Sequence, residues 1–175
     1  MIKDPTIQLW AEDEAHFQRH SSVLRMWSPR GQQPKVITAM TRQKVGFFGA
    51  INLKTGRLLT RKASTFDANT FGDFLRYLLR HTRGKIYLIL DNARWHKARV
   101  LKDFFFQNQQ CLTRIFLPPY SPELNPIERV WRITRRRITH NRYFESVEFL
   151  ESSLTSYFSK LDRPNDALKV LCANI

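Results

Sequence analysis

The feature that most constrains the fold is an apolar run, Ile86–Leu90, that stops abruptly at Asp91. A short run without polar alternation is typical of a strand that helices cover on both faces. We therefore expect a buried central strand over residues 86–90, whose end brings the Asp91 carboxylate to the edge of the core. The later segment LPPYSPELNPIERVW delivers a second carboxylate, Glu128, in a helix that begins near Pro126.

Strand patterns also precede this run. Alternation over Thr6–Ala11 predicts a strand that ends in the acids of residues 12–14. Three further segments have the composition of strands or hairpins: Val23–Trp27, Val36–Met40, and residues 46–53 joined to 57–60 by a turn at Gly56.

Helical periodicity dominates the second half of the chain. Apolar residues at positions 71, 74, 75, 78 and 79 follow the spacing of an amphipathic helix, which Asp67 or Asn69 would cap. Strands that alternate with helices after a meander indicate one α/β domain over residues 1–175, with a mixed sheet covered by helices on both faces. The remaining elements expected are helices at residues 100–105, from Pro126 and from a cap at Ser146, and a strand over 112–117.

The charge balance indicates a polyanionic partner. The chain carries 29 Lys and Arg against 15 Asp and Glu, a net charge of +14, which favours the phosphate backbone of nucleic acid. No apolar stretch approaches the roughly 18 residues needed to cross a membrane, and the N-terminal sequence turns acidic at once. Cys111 and Cys172 lack metal-ligand spacing. We expect a cytoplasmic protein with reduced thiols and no membrane contact.

Three acids occupy comparable places in this scheme. Asp13 ends the first strand, Asp91 ends the buried strand, and Glu128 lies in the first turn of a helix. If the two strands are neighbours, the clustered carboxylates would bind a hard divalent cation that acts on a phosphodiester. The alternative is that all three are solvated turn acids or helix caps. Alternation along the strand leaves open whether Glu12, Asp13 or Glu14 faces the site.

The neighbours of these acids admit two interpretations each. Asn92 would either orient a metal-bound carboxylate or close a turn. His96 would either approach a scissile phosphate or pack as a polar core residue. The tryptophans Trp27, Trp95 and Trp131 are expected in the core or in the walls of the site, not as platforms for nucleic-acid bases.

Five arginines follow Glu128 within nine residues of helix, and they favour phosphate contacts over a merely solvated face. The five are Arg129, Arg132, Arg135, Arg136 and Arg137.

The strings around the acids carry a family resemblance. LWAEDEAHF, LILDNARWH and LPPYSPELNPIERVW resemble the three acidic motifs of the IS630 / Tc1–mariner superfamily of DDE transposases. The segment MWSPRGQQP resembles that family's tryptophan–proline–glycine segment between the first two motifs. The resemblance covers about residues 5–145, and the Pro-Tyr-Ser-Pro-Glu-Leu-Asn-Pro-Ile-Glu string is its most specific part.

The resemblance implies an RNase H-like fold with a five-stranded mixed sheet, and a triad of Asp13, Asp91 and Glu128 that binds two Mg²⁺ or Mn²⁺ ions. It implies hydrolysis at transposon ends followed by attack of the freed 3′-OH on double-stranded target DNA, with a homodimer on the DNA. It also implies a prokaryotic protein associated with the nucleoid. Residues expected to surround and orient the triad are Asn92, His96 and Asn125. Cations expected to contact DNA are Arg30, Arg94, Lys97, Arg129, Arg132, Arg135 and Arg136.

One departure from the family pattern affects DNA recognition. Family members carry N-terminal helix-turn-helix domains that read the transposon ends, whereas the first acid here is already residue 13. We therefore expect such domains to be absent from this chain, which would be a catalytic domain alone, one product of a split reading frame with a separate helix-turn-helix polypeptide, or a remnant. The alternatives are a basic DNA-binding domain or remnant without catalysis, and a structure-selective nuclease of the same fold.

Overall fold

The computed structural model describes residues 7–20 and 22–173, which contain a five-stranded mixed sheet. Its order is β3-β2-β1-β4-β5; β1 is antiparallel to β2 and parallel to β4, β2 is antiparallel to β3, and β4 is parallel to β5. The strands are β1 (Ile7–Gln18), β2 (Lys44–Asn52), β3 (Leu58–Ala63), β4 (Lys85–Leu90) and β5 (Leu112–Phe116).

Helices cover both faces of this sheet, as expected from the alternation of elements. The first two helices of the chain pack on one face and the last three pack on the other. A separate apolar core lies between the sheet and each of these two groups. None of the helices in the described ranges has the length and apolar character needed to span a membrane. The helices are α1 (Ala68–Arg80), α2 (Lys102–Gln107), α3 (Ile127–Thr134), α4 (Val147–Ser159) and α5 (Asp166–Ala173).

Alternation along β1 divides its side chains between the two cores. Ala11, Ala15 and Phe17 pack on the side of α3 and α4, whereas Trp10 packs on the side of α1. Successive side chains of a strand point to opposite faces. Asp13 therefore faces α3, and its neighbours in sequence face the other layer.

The structure corrects the expected first strand. β1 does not end at the acids of residues 12–14 but continues to Gln18, because β2 pairs with it as far as Gln18 opposite Lys44. β1, and not the apolar strand β4, is the central strand of the sheet. Thr6, the expected first residue of the strand, lies outside the described residues.

Two expected strands are wrong. Val23–Trp27 and Val36–Met40 form no regular structure, and Trp27 and Met40 are almost fully exposed. Neither segment pairs with a strand of the sheet, and no core covers their most exposed apolar side chains.

The predicted hairpin is confirmed as β2 and β3. Asp67 is the cap of α1, where its carboxylate accepts from the backbone N–H groups of Asn69 and Thr70.

Candidate active site

Asp13, Asp91 and Glu128 line one pocket of about 420 Å³. The first two come together because β1 and β4 are parallel neighbours whose register pairs Ala11 with Ile89. Asp13 and Asp91 each lie two residues beyond that pair, so the two carboxylates sit side by side. Glu128 reaches the same pocket from the first turn of α3.

Asp13 is held by the α3 layer. The indole Nε1 of Trp131 donates a hydrogen bond of 3.1 Å to Asp13 Oδ2. Burial, together with the nearby negative charges of Glu128 and Glu14, raises the pKa of Asp13 to about 8. Carboxylates raise one another's pKa in this way when no cation neutralises them.

Asp91 is held in its ionised form by two donors. His96 Nδ1 lies 2.9 Å from Asp91 Oδ1, and the backbone N–H of Ala93 donates to the same oxygen at 2.8 Å. The hydrogen bond from His96 lowers the pKa of Asp91 below its ordinary value, against the opposing effect of burial.

His96 is a buried residue behind Asp91 and does not line the pocket. Its ring lies 4.4 Å from the ring of Phe71 in α1, so of the two interpretations the packing role fits the structure. Nε2 faces Glu14 Oε1 at 3.3 Å and Glu12 Oε2 at 3.5 Å. Burial acts to lower the pKa of His96, but the hydrogen bond to Asp91 and the contacts with these glutamates raise it to about 10.

The two glutamates beside Asp13 thus belong to the opposite layer from the pocket. Glu12 is completely buried, and burial followed by repulsion from Glu14 raises its pKa well above the ordinary value. Glu14 Oε1 accepts a hydrogen bond of 2.7 Å from Trp95 Nε1. From the sequence alone, any of Glu12, Asp13 and Glu14 could have faced the site. In the structure, only Asp13 of these three lines the pocket.

Asn92 and Asn125 connect the loops that carry the acids. Asn92 Nδ2 donates to the carbonyl of Leu117, and Lys97 Nζ donates to Asn92 Oδ1, both at 2.6 Å. Asn92 therefore joins the ends of β4 and β5 without bonding the Asp91 carboxylate. Asn125 Nδ2 donates to the carbonyl of Glu12 at 2.9 Å, which fastens the loop before α3 to β1.

The cations expected to contact DNA occupy different environments. Arg129 donates to the carbonyl of Leu171 at 3.0 Å, and Arg135 lies 5.5 Å above the ring of Phe17, so both also support the fold. Lys97 stands 4.7 Å above the ring of Phe116. The remaining four are exposed: Arg30, Arg94, Arg132 and Arg136.

Two aromatic residues, Trp27 and Tyr120, lie in positions that the sequence did not predict. Trp27 is fully exposed and belongs to neither the core nor a site wall, whereas Trp131 is buried and Trp95 is partly buried. Tyr120, which was not singled out, lines the pocket with a fully exposed ring and a φ of 56°. Such a φ is uncommon for a non-glycine residue and often marks a functional loop.

The donor set of the pocket fits hard divalent cations. Its potential ligands are oxygen atoms from three carboxylates and from the Asn125 side chain, and Mg²⁺ and Mn²⁺ prefer such ligands. Asn125 Oδ1 is buried and has no hydrogen-bond partner among the described residues. Burial and, after it, the neighbouring charges of Glu128 and Glu14 raise the pKa of Asp13, and a bound cation would offset both effects.

Comparisons with known proteins agree with this geometry. A family model described as "DDE superfamily endonuclease" matches residues 8–151. The "Insertion element IS630 uncharacterized 39 kDa protein" of Shigella sonnei is 30% identical over 138 residues, which cover 78% of this chain and 40% of that protein.

Solved structures share the fold at lower identity. The Mos1 strand transfer complex matches with a TM-score of 0.67 at 18% identity, over 92% of this chain and 49% of that one. The Mos1 mariner paired-end complex with Mn matches with a TM-score of 0.65 at 17% identity, over 92% and 50%. The likeness confirms the RNase H-like fold. The chain spans 40% of the IS630 relative and about half of the Mos1 chains.

Proposed function

The chain belongs to the DDE superfamily endonucleases, and from this premise we propose that it is the catalytic part of a cut-and-paste DNA transposase. In the proposed reaction, water cleaves a phosphodiester at a transposon end and frees a 3′-OH. That hydroxyl then attacks a phosphate of target DNA, so that one P–O bond forms as another breaks. No covalent enzyme–DNA intermediate is required.

The observation that carries the proposal is the shared pocket of Asp13, Asp91 and Glu128. These acids come from a central strand, its parallel neighbour and a helix on one face, so separate parts of the chain converge on one position. Convergence of carboxylates in a concave site is the arrangement expected for metal-assisted phosphoryl transfer.

Asp13, Asp91 and Glu128 would hold two Mg²⁺ or Mn²⁺ ions. When bound, such ions supply activation of the attacking oxygen and stabilisation of the leaving oxygen. Two of the Mos1 structures that resemble this fold are described as paired-end complexes with Mn and with Mg. Asn125, whose side chain donates to the carbonyl of Glu12, would help to hold the loop that precedes Glu128.

The other residues of the site keep the carboxylates in place. His96 and the N–H of Ala93 hold Asp91 by one oxygen and favour its ionised form. Trp131, in the α3 layer, holds Asp13 in position through a hydrogen bond to Oδ2. Buried donors that hold a reacting group before the substrate arrives lower the reorganisation needed during the reaction.

Double-stranded DNA would approach over the rim of the pocket. Exposed Arg94, Arg132 and Arg136 and the free face of Tyr120 lie on the elements that carry or flank the acids. Cations there would bind phosphates, and an exposed aromatic ring offers a stacking surface for a base. Paired transposon ends would require a homodimer, and the chain would act on DNA at the nucleoid.

The proposal is tested by nicking of supercoiled DNA in Mn²⁺. We expect the wild-type chain to nick, and Asp91→Asn and Glu128→Gln each to reduce the rate by at least a hundredfold while retaining DNA binding. The matched control is Glu123→Gln, because Glu123 is an exposed acid of the same loop that does not line the pocket. It is expected to nick at the wild-type rate.

Other results would select the alternatives. Cleavage that persists in Asp91→Asn would rule out the proposed triad. Salt-sensitive DNA binding without cleavage in any divalent metal would identify a binding module that lacks catalysis. Cleavage confined to hairpins or hybrids in a substrate panel would identify a structure-selective nuclease.

A further inference from the structure

A second group of potential metal ligands lies behind the pocket, in the layer of α1. Glu12 and Glu14 project from β1 on the face opposite Asp13 and meet His96 there. One ligand atom from each of these three residues lies within 4.8 Å of the others. The proposed DNA chemistry uses none of these atoms directly.

This group is buried and its polar atoms are unsatisfied. Glu12 and His96 have no solvent exposure. Both carboxylate oxygens of Glu12 and Nε2 of His96 lack a hydrogen-bond partner within the part of the chain that the structure describes. Buried polar groups are nearly always partnered, so two carboxylates that face an imidazole nitrogen in the core need a positive charge, which either a bound cation or a protonated His96 supplies.

The distances suit a transition metal ion. His96 Nε2 lies 3.3 Å from Glu14 Oε1 and 3.5 Å from Glu12 Oε2. Ligands at about 2.0–2.2 Å from a tetrahedral Zn²⁺ are separated by about 3.3–3.6 Å. The other ring nitrogen, Nδ1, is 2.9 Å from Asp91 Oδ1. A carboxylate at that nitrogen is the usual way in which a metal-binding histidine is oriented.

We propose that Glu12, Glu14 and His96 bind one divalent transition cation, for which Zn²⁺ is the best fit, separately from the pocket of Asp13 and Glu128. The two carboxylates balance the charge of the ion. An imidazole ligand favours Zn²⁺ over Mg²⁺, which takes oxygen ligands. The ion would join β1 to the turn at residues 94–97 and so fix His96, which positions Asp91.

The test measures bound metal without DNA, so its outcome is independent of the proposed nuclease activity. The background variant Asp13→Asn/Glu128→Gln removes two ligands of the pocket, and Cys111→Ser removes a partly exposed thiol. The protein is stripped with chelator, incubated with Zn²⁺, desalted and analysed by mass spectrometry for metal content. We expect one zinc per chain in this background, and at least a tenfold loss when Glu12→Gln is added.

Two further measurements keep the result decisive. Circular dichroism checks that Glu12→Gln is folded, and Glu14→Gln replaces it if it is not. Co²⁺ bound to the background variant is expected to give the intense visible absorption of a tetrahedral site. The proposal is overturned if the background retains no zinc, or if Glu12→Gln retains as much. Either result would leave a protonated His96 as the positive partner of the glutamates.

Discussion

At the residue scale, Trp131 connects the core to the proposed chemistry. It is fully buried, and its single polar atom donates to Asp13. We predict that Trp131→Phe, which keeps an aromatic ring but removes the donor, lowers the Mn²⁺-dependent nicking rate by about tenfold to a hundredfold, since hydrogen bonds to charged groups contribute about 1.5–3 kcal/mol.

The control for this change is Trp10→Phe. Trp10 is also buried, but its Nε1 donates to Gln8, in the opposite layer. Both variants lose the same atoms from the interior, so their thermal unfolding temperatures should fall by similar amounts. Equal nicking rates in the two variants would show that the hydrogen bond to Asp13 has no role in activity.

Single residues also show how much of the site the sequence could predict. The positions of Asp91 and Glu128 followed from an apolar strand and a proline-started helix, since both are local patterns. The sequence did not predict which of Glu12, Asp13 and Glu14 faces the pocket, because this depends on which helices cover each face of β1. Hydrogen bonds such as that from Trp131 to Asp13 join residues 118 positions apart, and no local pattern reports them.

At the element scale, the approach of α3 to β2 depends on Gly49. This glycine lies opposite Asp13 in the β1–β2 ladder, and a Cβ atom there would be 2.3 Å from Trp131 Cη2. We predict that Gly49→Ala displaces the indole, lowers the free energy of unfolding by about 1–3 kcal/mol through overpacking, and reduces nicking along with it. Urea unfolding and the nicking assay measure the two effects.

Gly72→Ala is the matched control in the other layer. Its added Cβ would meet the ends of two flexible side chains, Leu101 at 3.0 Å and Arg76 Nη1 at 3.6 Å. Alanine also favours the helix over glycine by about 1 kcal/mol. We expect a change in unfolding free energy close to zero and unchanged nicking. If Gly49→Ala is as stable and active as the wild type, the close packing of Trp131 on β2 does not support the site.

Elements with a local signal were predicted well, and those that depend on distant partners were not. The hairpin, α1 and the helix from Ser146 carry turn residues, caps and periodic apolar positions. β1 extends past its acids because β2 pairs with it, which a one-dimensional pattern cannot show. Helix α5 was missed because it is short, and it is held partly by contacts with α3, including Arg129 to the carbonyl of Leu171.

At the scale of the whole molecule, the central strand separates two groups of acids. Alternation along β1 sends Asp13 to the pocket and Glu12 and Glu14 to the opposite layer, and His96 links the second group to Asp91. A strongly basic chain thus concentrates its buried carboxyl groups at one position in the sheet. The surplus of positive charge remains on the surface, where it is available to phosphates.

This distribution predicts strongly salt-dependent DNA binding. Each phosphate contact contributes about 0.9 to the slope of log K against log salt concentration. Arg132 and Arg136 follow Glu128 by one and two turns and are exposed. We predict that Arg132→Gln/Arg136→Gln weakens binding to all duplex sequences and reduces the slope by about two, as measured by fluorescence anisotropy over a salt series.

The control replaces two arginines at the other end of the sheet. Arg80 and Arg83 are exposed between the end of α1 and the start of β4, and Asp91 lies at the opposite end of that strand. If DNA crosses the pocket, Arg80→Gln/Arg83→Gln removes the same net charge but leaves the slope near its wild-type value. Equal slopes in the two double variants would mean that binding depends on total charge alone, and that the arginines beyond Glu128 do not guide DNA to the acids.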